Sequence, residues 1–193
     1  MKKEILSWAG IAAVGIVIYS TGLHKDINFA MQRAMLWAGF FDAKTETEFT
    51  GPFLADEDYM FALVSENGEN LDLETFKGDV VFINLWASWC PPCVAEMPTI
   101  QALYDDVVSY ENIHFIMLSF DHEAEKSAEF MEKRGFNLPY YFPRSSQPEI
   151  LSGSFLPTTF VISPLGQIVY KHEGMVNFDT QEFRDLLVSL AEE

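Results

Sequence analysis

The stretch Phe82-Ile83-Asn84-Leu85-Trp86-Ala87-Ser88-Trp89-Cys90-Pro91-Pro92-Cys93 decides how this chain is read. Its first half, extended back to Val80, is a nearly unbroken run of β-formers, as expected of a central strand buried on both faces. Its second half holds both cysteines of the protein, where strand character gives way to helix. A thiolate at a helix start is stabilised by the positive end of the backbone dipole and by free N–H groups, which makes it nucleophilic near neutral pH. Two intervening residues let the second sulfur reach back and close a disulfide. The alternatives are half of a zinc site and a structural staple. Structural zinc wants four ligands, whereas His24, His114, His122 and His172 are scattered without ligand spacing. A staple around so short a loop removes little unfolded-state entropy. The sequence therefore favours a redox dithiol at Cys90 and Cys93.

Working outward, Pro91 to Ser109 reads as the helix after the central strand and Ile113 to Phe120 as a second buried strand. Glu123 to Arg134 has helical period and stops at Gly135, a helix-end signal. Tyr140 to Phe142 reads as a short strand and Pro148 to Ser152 as a helical turn. Thr159 to Ile162 and Gln167 to His172 form a hairpin around Pro164-Leu165-Gly166, and Thr180 to Ala191 is a closing helix. Upstream, Tyr59 to Val64 and Leu71 to Leu73 flank the turn Glu66-Asn67-Gly68-Glu69 as an opening hairpin. The order predicts an α/β fold, a mixed central sheet flanked by helices on both faces.

The front of the chain is different. Ile5 to Leu23 is 19 residues without a charge, which at about 1.5 Å per residue just spans a hydrocarbon core. A cleaved signal peptide is the rival, with Ser20 and Gly22 as small residues at peptidase spacing, but its apolar core would be unusually long. No cysteine stands at the end of this stretch, which excludes lipoprotein-type attachment. Residues 1–24 are thus read as a transmembrane signal anchor. Lys2 and Lys3 favour a cytoplasmic N-terminus, and Lys25 and Arg33 beyond the span weaken the contrast. The soluble domain would face a periplasm or other extracytoplasmic space. Residues 25–41 read as an amphipathic interfacial helix, with Ile27, Ala30, Met31, Ala34, Ala38 and Phe41 at helical spacing. Residues 42–58, acidic and Thr-rich around Gly51-Pro52, read as a linker, leaving 59–193 as the folded domain.

With 12 Lys or Arg against 29 Asp or Glu, the chain carries a net charge of −17 and has no basic patch to neutralise phosphates. Nucleic acid is excluded as a partner. The acidity either steers basic client proteins toward the site or serves solubility.

The run from Phe82 to Cys93, with Glu96 and Pro98 after it and Leu156-Pro157-Thr158-Thr159-Phe160 downstream, resembles the thioredoxin superfamily. Within it the chain is most similar to the membrane-anchored TlpA/ResA-like thiol-disulfide oxidoreductases. The resemblance covers about Tyr59 to Glu193. It implies an N-terminal anchor, an opening hairpin and a strand-helix insertion, here Asp121 to Ser154. Cys90 would exchange disulfides with a client and Cys93 would resolve the mixed disulfide. Thioredoxin has an aspartate six residues before its first cysteine, where this chain has Asn84; Glu96, on the Cys93 face of the helix, is the replacement proton partner, at the place of the family's functional glutamate. Pro157 matches the family's cis-proline, whose loop exposes the Leu156 backbone to an extended client. Trp89, with Trp86, would form an apolar collar, Trp86 reading equally as core, and Pro98 would kink the helix.

Read from the residues, Cys90 is the N-cap, and Pro91 biases it away from helical dihedrals. Pro91 and Pro92 remove N–H groups that could have donated to the Cys90 sulfur, so the thiolate rests on the Cys93 N–H and the dipole. Replacing Pro91 is then expected to lower the thiol pKa.

The leading function is reduction of disulfides in exported proteins, fed by an unidentified membrane electron donor, with apocytochrome c the family's best-known client. A disulfide-forming oxidant is the second reading and a thiolate copper carrier the third. No cofactor beyond the Cys90/Cys93 disulfide, and no resident metal, is expected.

Overall fold

A computed structural model of the chain describes residues 19–21, 30–32, 34–36, 41–43 and 50–192. The short helix α1 (Asp56–Tyr59) precedes strands β1 (Ala62–Ser65) and β2 (Asn70–Asp72). Then follow β3 (Val80–Trp86), α2 (Pro91–Val107), β4 (Ile113–Ser119), α3 (Ala124–Arg134) and β5 (Tyr140–Pro143). The chain closes with β6 (Thr158–Ile162), β7 (Ile168–Glu173) and α4 (Gln181–Ala191). They build one seven-stranded sheet in the order β2-β1-β5-β4-β3-β6-β7.

Strand β3 is buried at all seven positions because it has a partner on each edge and a core on each face. It pairs in parallel with β4, Val80 opposite Ile113, and antiparallel with β6, Leu85 opposite Thr158. Its alternating side chains divide the core. Phe82 and Trp86 join Met97, Ile100 and Leu103 of α2, Met131 of α3 and Phe183, Leu187 and Leu190 of α4. Val81, Ile83 and Leu85 join Tyr59, Phe61, Leu73, Phe76, Leu151 and Phe160. The crossovers β3-α2-β4 and β4-α3-β5 step across the sheet in one direction, and right-handed connections then place both helices on one face. The mixed α/β sheet is as expected, but its helical cover is unequal. Among the described residues the three long helices α2, α3 and α4 share one face, and α1 and the 3₁₀ turns Leu73–Phe76 and Glu149–Leu151 lie on the other.

The opening strand starts later than its apolar pattern suggests. Asp56-Glu57-Asp58 form the first turn of α1, where carboxylates suit the helix dipole, and Asp58 Oδ2 accepts the Ala55 N–H at 2.8 Å. Tyr59 is buried from that helix rather than from a strand, and the return strand ends at Asp72 because Leu73 enters the 3₁₀ turn. Gly166 closes the β6–β7 turn with φ +82°, and a Cβ there would stand 2.6 Å from the Tyr59 hydroxyl oxygen.

In the stretch read as a linker, the described residues are tied to the domain edge. Ala43 N–H donates to Asn177 O at 3.0 Å, Ile168 N–H to Pro52 O at 2.9 Å and Leu54 N–H to Gly166 O at 2.8 Å. A polar composition leaves backbone groups free to pair with an edge, and composition alone does not show where they go. The expected anchor lies outside the described residues apart from 19–21, and among the described residues no helix is long and apolar enough to cross a membrane. Of the expected interfacial helix, 30–32 and 34–36 are described and helical, with Leu36 buried.

Candidate active site

The loop Ala87-Ser88-Trp89 joins β3 to α2 and delivers Cys90 to the N-cap position, with extended dihedrals (φ −90°, ψ 104°). Pro91 and Pro92 fill the first two helical positions, where a missing N–H breaks no intrahelical bond. Cys90 and Cys93 are joined as a disulfide with their Cα atoms 5.3 Å apart, and the Cys93 N–H donates to Cys90 Sγ at 3.3 Å. An N-cap side chain accepts from the second or third helical position, and the third is Cys93. The second is Pro92, which has no proton to give. The helix register therefore moves the missing donor from Pro91 to Pro92. Both cysteines are buried, while Trp89 beside them is 62% exposed and Pro91 is exposed.

Glu96 is three residues after Cys93 and has no solvent exposure. The Asn84 Nδ2 donates to its Oε1 at 2.8 Å, and the Val176 N–H donates to its Oε2 at 3.1 Å. Burial penalises the carboxylate more than these two bonds favour it, and the pKa is pushed from 4.5 to about 8. Asn84 also donates to Thr159 Oγ1 at 2.9 Å, which leaves its buried Oδ1 without a partner. Turning that amide over presents Oδ1 to protonated Glu96, so position 84 serves either protonation state of the acid. The sequence marked Asn84 only as an absent acid. Its grip on Glu96, and that of Val176 from the loop after β7, arise from register and loop closure and carry no local signal.

The peptide bond Leu156–Pro157 is cis. Thr158 pairs with Leu85, so Pro157 lies at the sheet end that carries the 87–90 loop, and Leu156 packs on the core cluster containing both cysteines. A cavity of about 350 Å³ opens between the two loops, lined by Leu85, Trp89, Phe120, His122, Phe155 and Leu156 among others. It gathers four separate segments, which no single stretch announces. Trp86 is wholly buried, its ring 5.5 Å from that of Phe130, and belongs to the core rather than to a collar. Pro98 lies inside α2. Among the described residues no group of three His, Cys, Asp or Glu side chains is placed to hold a metal ion.

The Redoxin family matches residues 43–187. The thiol-disulfide oxidoreductase ResA of Halalkalibacterium halodurans is 25% identical over 189 residues, 97% of this chain and 98% of that protein. ResA of Bacillus subtilis is 32% identical over 110 residues, 56% of this chain and 61% of that one. In the crystal structure of a thioredoxin-family thiol:disulfide interchange protein from Chlorobium tepidum, 99% of that chain matches 77% of this one with a TM-score of 0.56 at 20% identity, a likeness of fold. The chain therefore belongs to the Redoxin family, as a TlpA/ResA-like thiol-disulfide oxidoreductase of the thioredoxin superfamily.

Proposed function

We propose that the protein is a membrane-anchored reductant of disulfides in exported proteins, apocytochrome c among them, working outside the cytoplasm and recharged by a membrane electron donor. Support for the anchor is the uncharged stretch from Ile5 to Leu23. In the reduced enzyme the Cys90 thiolate attacks one sulfur of the client disulfide, and the other client sulfur leaves as a thiolate. Cys93, deprotonated, then attacks Cys90 Sγ and releases the second client thiolate. Two electrons pass to the client and the protein is left with the Cys90–Cys93 disulfide.

The observation that carries the reading is Glu96. A wholly buried carboxyl one turn from Cys93 with a pKa of about 8 is matched to a thiol, whose ordinary value is about 8.5, so a proton passes between them at little cost. In its ionised form, whose share grows as pH rises toward 8, Glu96 takes the Cys93 proton as the resolving thiolate forms. Leu156, beside cis-Pro157, offers backbone pairing to an extended client, and Trp89 and Pro91 flank the approach to Cys90. A client side chain near the attacked cysteine enters the cavity between Trp89 and Leu156.

The test is the equilibrium potential of the Cys90/Cys93 couple in the full chain in detergent. A value near thioredoxin's, about −270 mV, is expected; one near DsbA's, about −120 mV, would make the protein an oxidant and overturn the direction. Cys93→Ser is expected to trap an apocytochrome c peptide on Cys90 as a mixed disulfide visible by mass.

A further inference from the structure

The three-residue loop that carries Cys90 is held from outside by one carboxylate. Asp121, two residues past the end of β4 and the first residue of the strand-helix insertion, accepts the Ser88 N–H at 3.1 Å (Oδ1) and 3.2 Å (Oδ2). Its Oδ1 also accepts the Ser88 hydroxyl at 3.0 Å, and its Oδ2 the Ser127 hydroxyl, from α3, at 2.6 Å. Ser127 Oγ lies 2.7 Å from Ser119 Oγ, which in turn accepts the Asp121 N–H at 3.1 Å. Ser119 and Ser127 are both buried, so the ring of bonds is closed away from water on the side of the insertion. Phe120 N–H donates to Trp86 O at 2.8 Å and ties the same turn to the end of β3. Hydrogen bonds to a carboxylate are the stronger kind, and three of the four here come from Ser88, two positions before Cys90.

We propose that Asp121 is a positioning residue for thiol-disulfide exchange: through Ser88 it holds the loop so that Cys90 Sγ stays within closing reach of Cys93. The inference rests on the Cys90/Cys93 exchange reading. Closing the disulfide costs the freedom of the loop that carries Cys90, and a loop already restrained loses less. Releasing Ser88 lowers the effective concentration of one sulfur at the other, favours the open dithiol and raises the reduction potential. It also gives the insertion a role at the reacting pair, since Asp121 and Ser127 both belong to it.

The experiment is equilibration of the full chain in detergent with glutathione redox buffers, comparing native protein, Asp121→Ala, Asp121→Asn and Ser88→Ala. Asp121→Ala is expected to weaken disulfide closure about tenfold, which for a two-electron couple raises the potential by about 30 mV. Asp121→Asn keeps an acceptor for Ser88 and is expected to remain within about threefold of native, whereas loss of charge alone would move it as far as alanine. Ser88→Ala, which keeps the N–H bond, is expected to shift closure about threefold in the same direction and reports even where Asp121→Ala does not fold. A native potential in both alanine variants, or an asparagine variant as impaired as the alanine one, overturns the proposal. Native protein that does not equilibrate with glutathione removes the exchange reading and this one with it; native exchange with unmoved alanine variants removes only this one.

Discussion

Replacing Glu96 by Gln removes a proton that folding otherwise controls. The unfolded chain gives up this carboxyl proton near 4.5, whereas the native protein holds it to about 8, because burial outweighs the bonds from Asn84 and Val176. Between those values the native state binds the extra proton, so stability falls as pH rises. The contribution is fully present below pH 4.5 and is lost as pH climbs through about 8. The gap between the two values, at about 1.4 kcal/mol per pH unit, is worth roughly 5 kcal/mol. Glu96→Gln preserves the shape, carries no charge and can donate to Asn84 Oδ1 once that amide turns over. Its stability is therefore free of this decline. The assay is urea unfolding of the oxidised full chain, native and variant side by side, in steps from pH 5 to pH 9. Every other titrating group is common to both proteins and drops out of the difference. Native protein is expected to lose several kcal/mol more than the variant across that range, leaving the variant the more stable at pH 9. Parallel stability curves would refute the reasoning, because Glu96 would then ionise at the same pH in the folded and unfolded chains.

Two further outcomes follow from the helix start and the core. Pro92→Ala supplies an N–H at the second helical position, within reach of Cys90 Sγ, and should move the pH midpoint of Cys90 alkylation in the reduced protein about one unit lower. Pro91→Ala should move it less, and the reverse order would show that the capping register is wrong. Phe183→Ala empties a site with no solvent exposure whose ring meets those of Tyr170 and Phe178 at 5.0 Å each, and should cost about 3–5 kcal/mol in a urea titration. A cost under about 1 kcal/mol would mean that the helical side of the core closes over the gap.

Elements with a strong local period were readable from the chain. Val80–Trp86 has its sequence-expected bounds because a strand buried on both faces needs an unbroken apolar run. The end of α3 was marked because Gly135 takes a left-handed C-cap at φ +70°. The start of β1 is not legible locally, because Tyr59 is equally apolar in a strand or a helical turn and only its burial from α1 separates the two. The backbone pairing of Pro52 and Leu54 has no local signal, because their partners, Ile168 and Gly166, lie more than a hundred residues away.

By itself the sequence determined the reaction class and named the residues of the proposed site: two cysteines separated by two prolines at a strand-to-helix junction, an acid one helical turn further on, and a proline at the head of a distant strand. These depend on residue type and short spacing, which the chain carries locally. Tertiary structure alone decided how that chemistry is tuned. Glu96 titrates near 8 because α2, β3 and the loop of Val176 exclude water from it together, and no short stretch encodes a desolvated volume. Trp86 went to the core and Trp89 to the surface because β3 ends between them, so two like residues three apart met different environments. Asp121 reached Ser88 across 33 residues because the parallel pairing of β3 with β4 brings the two strand ends side by side.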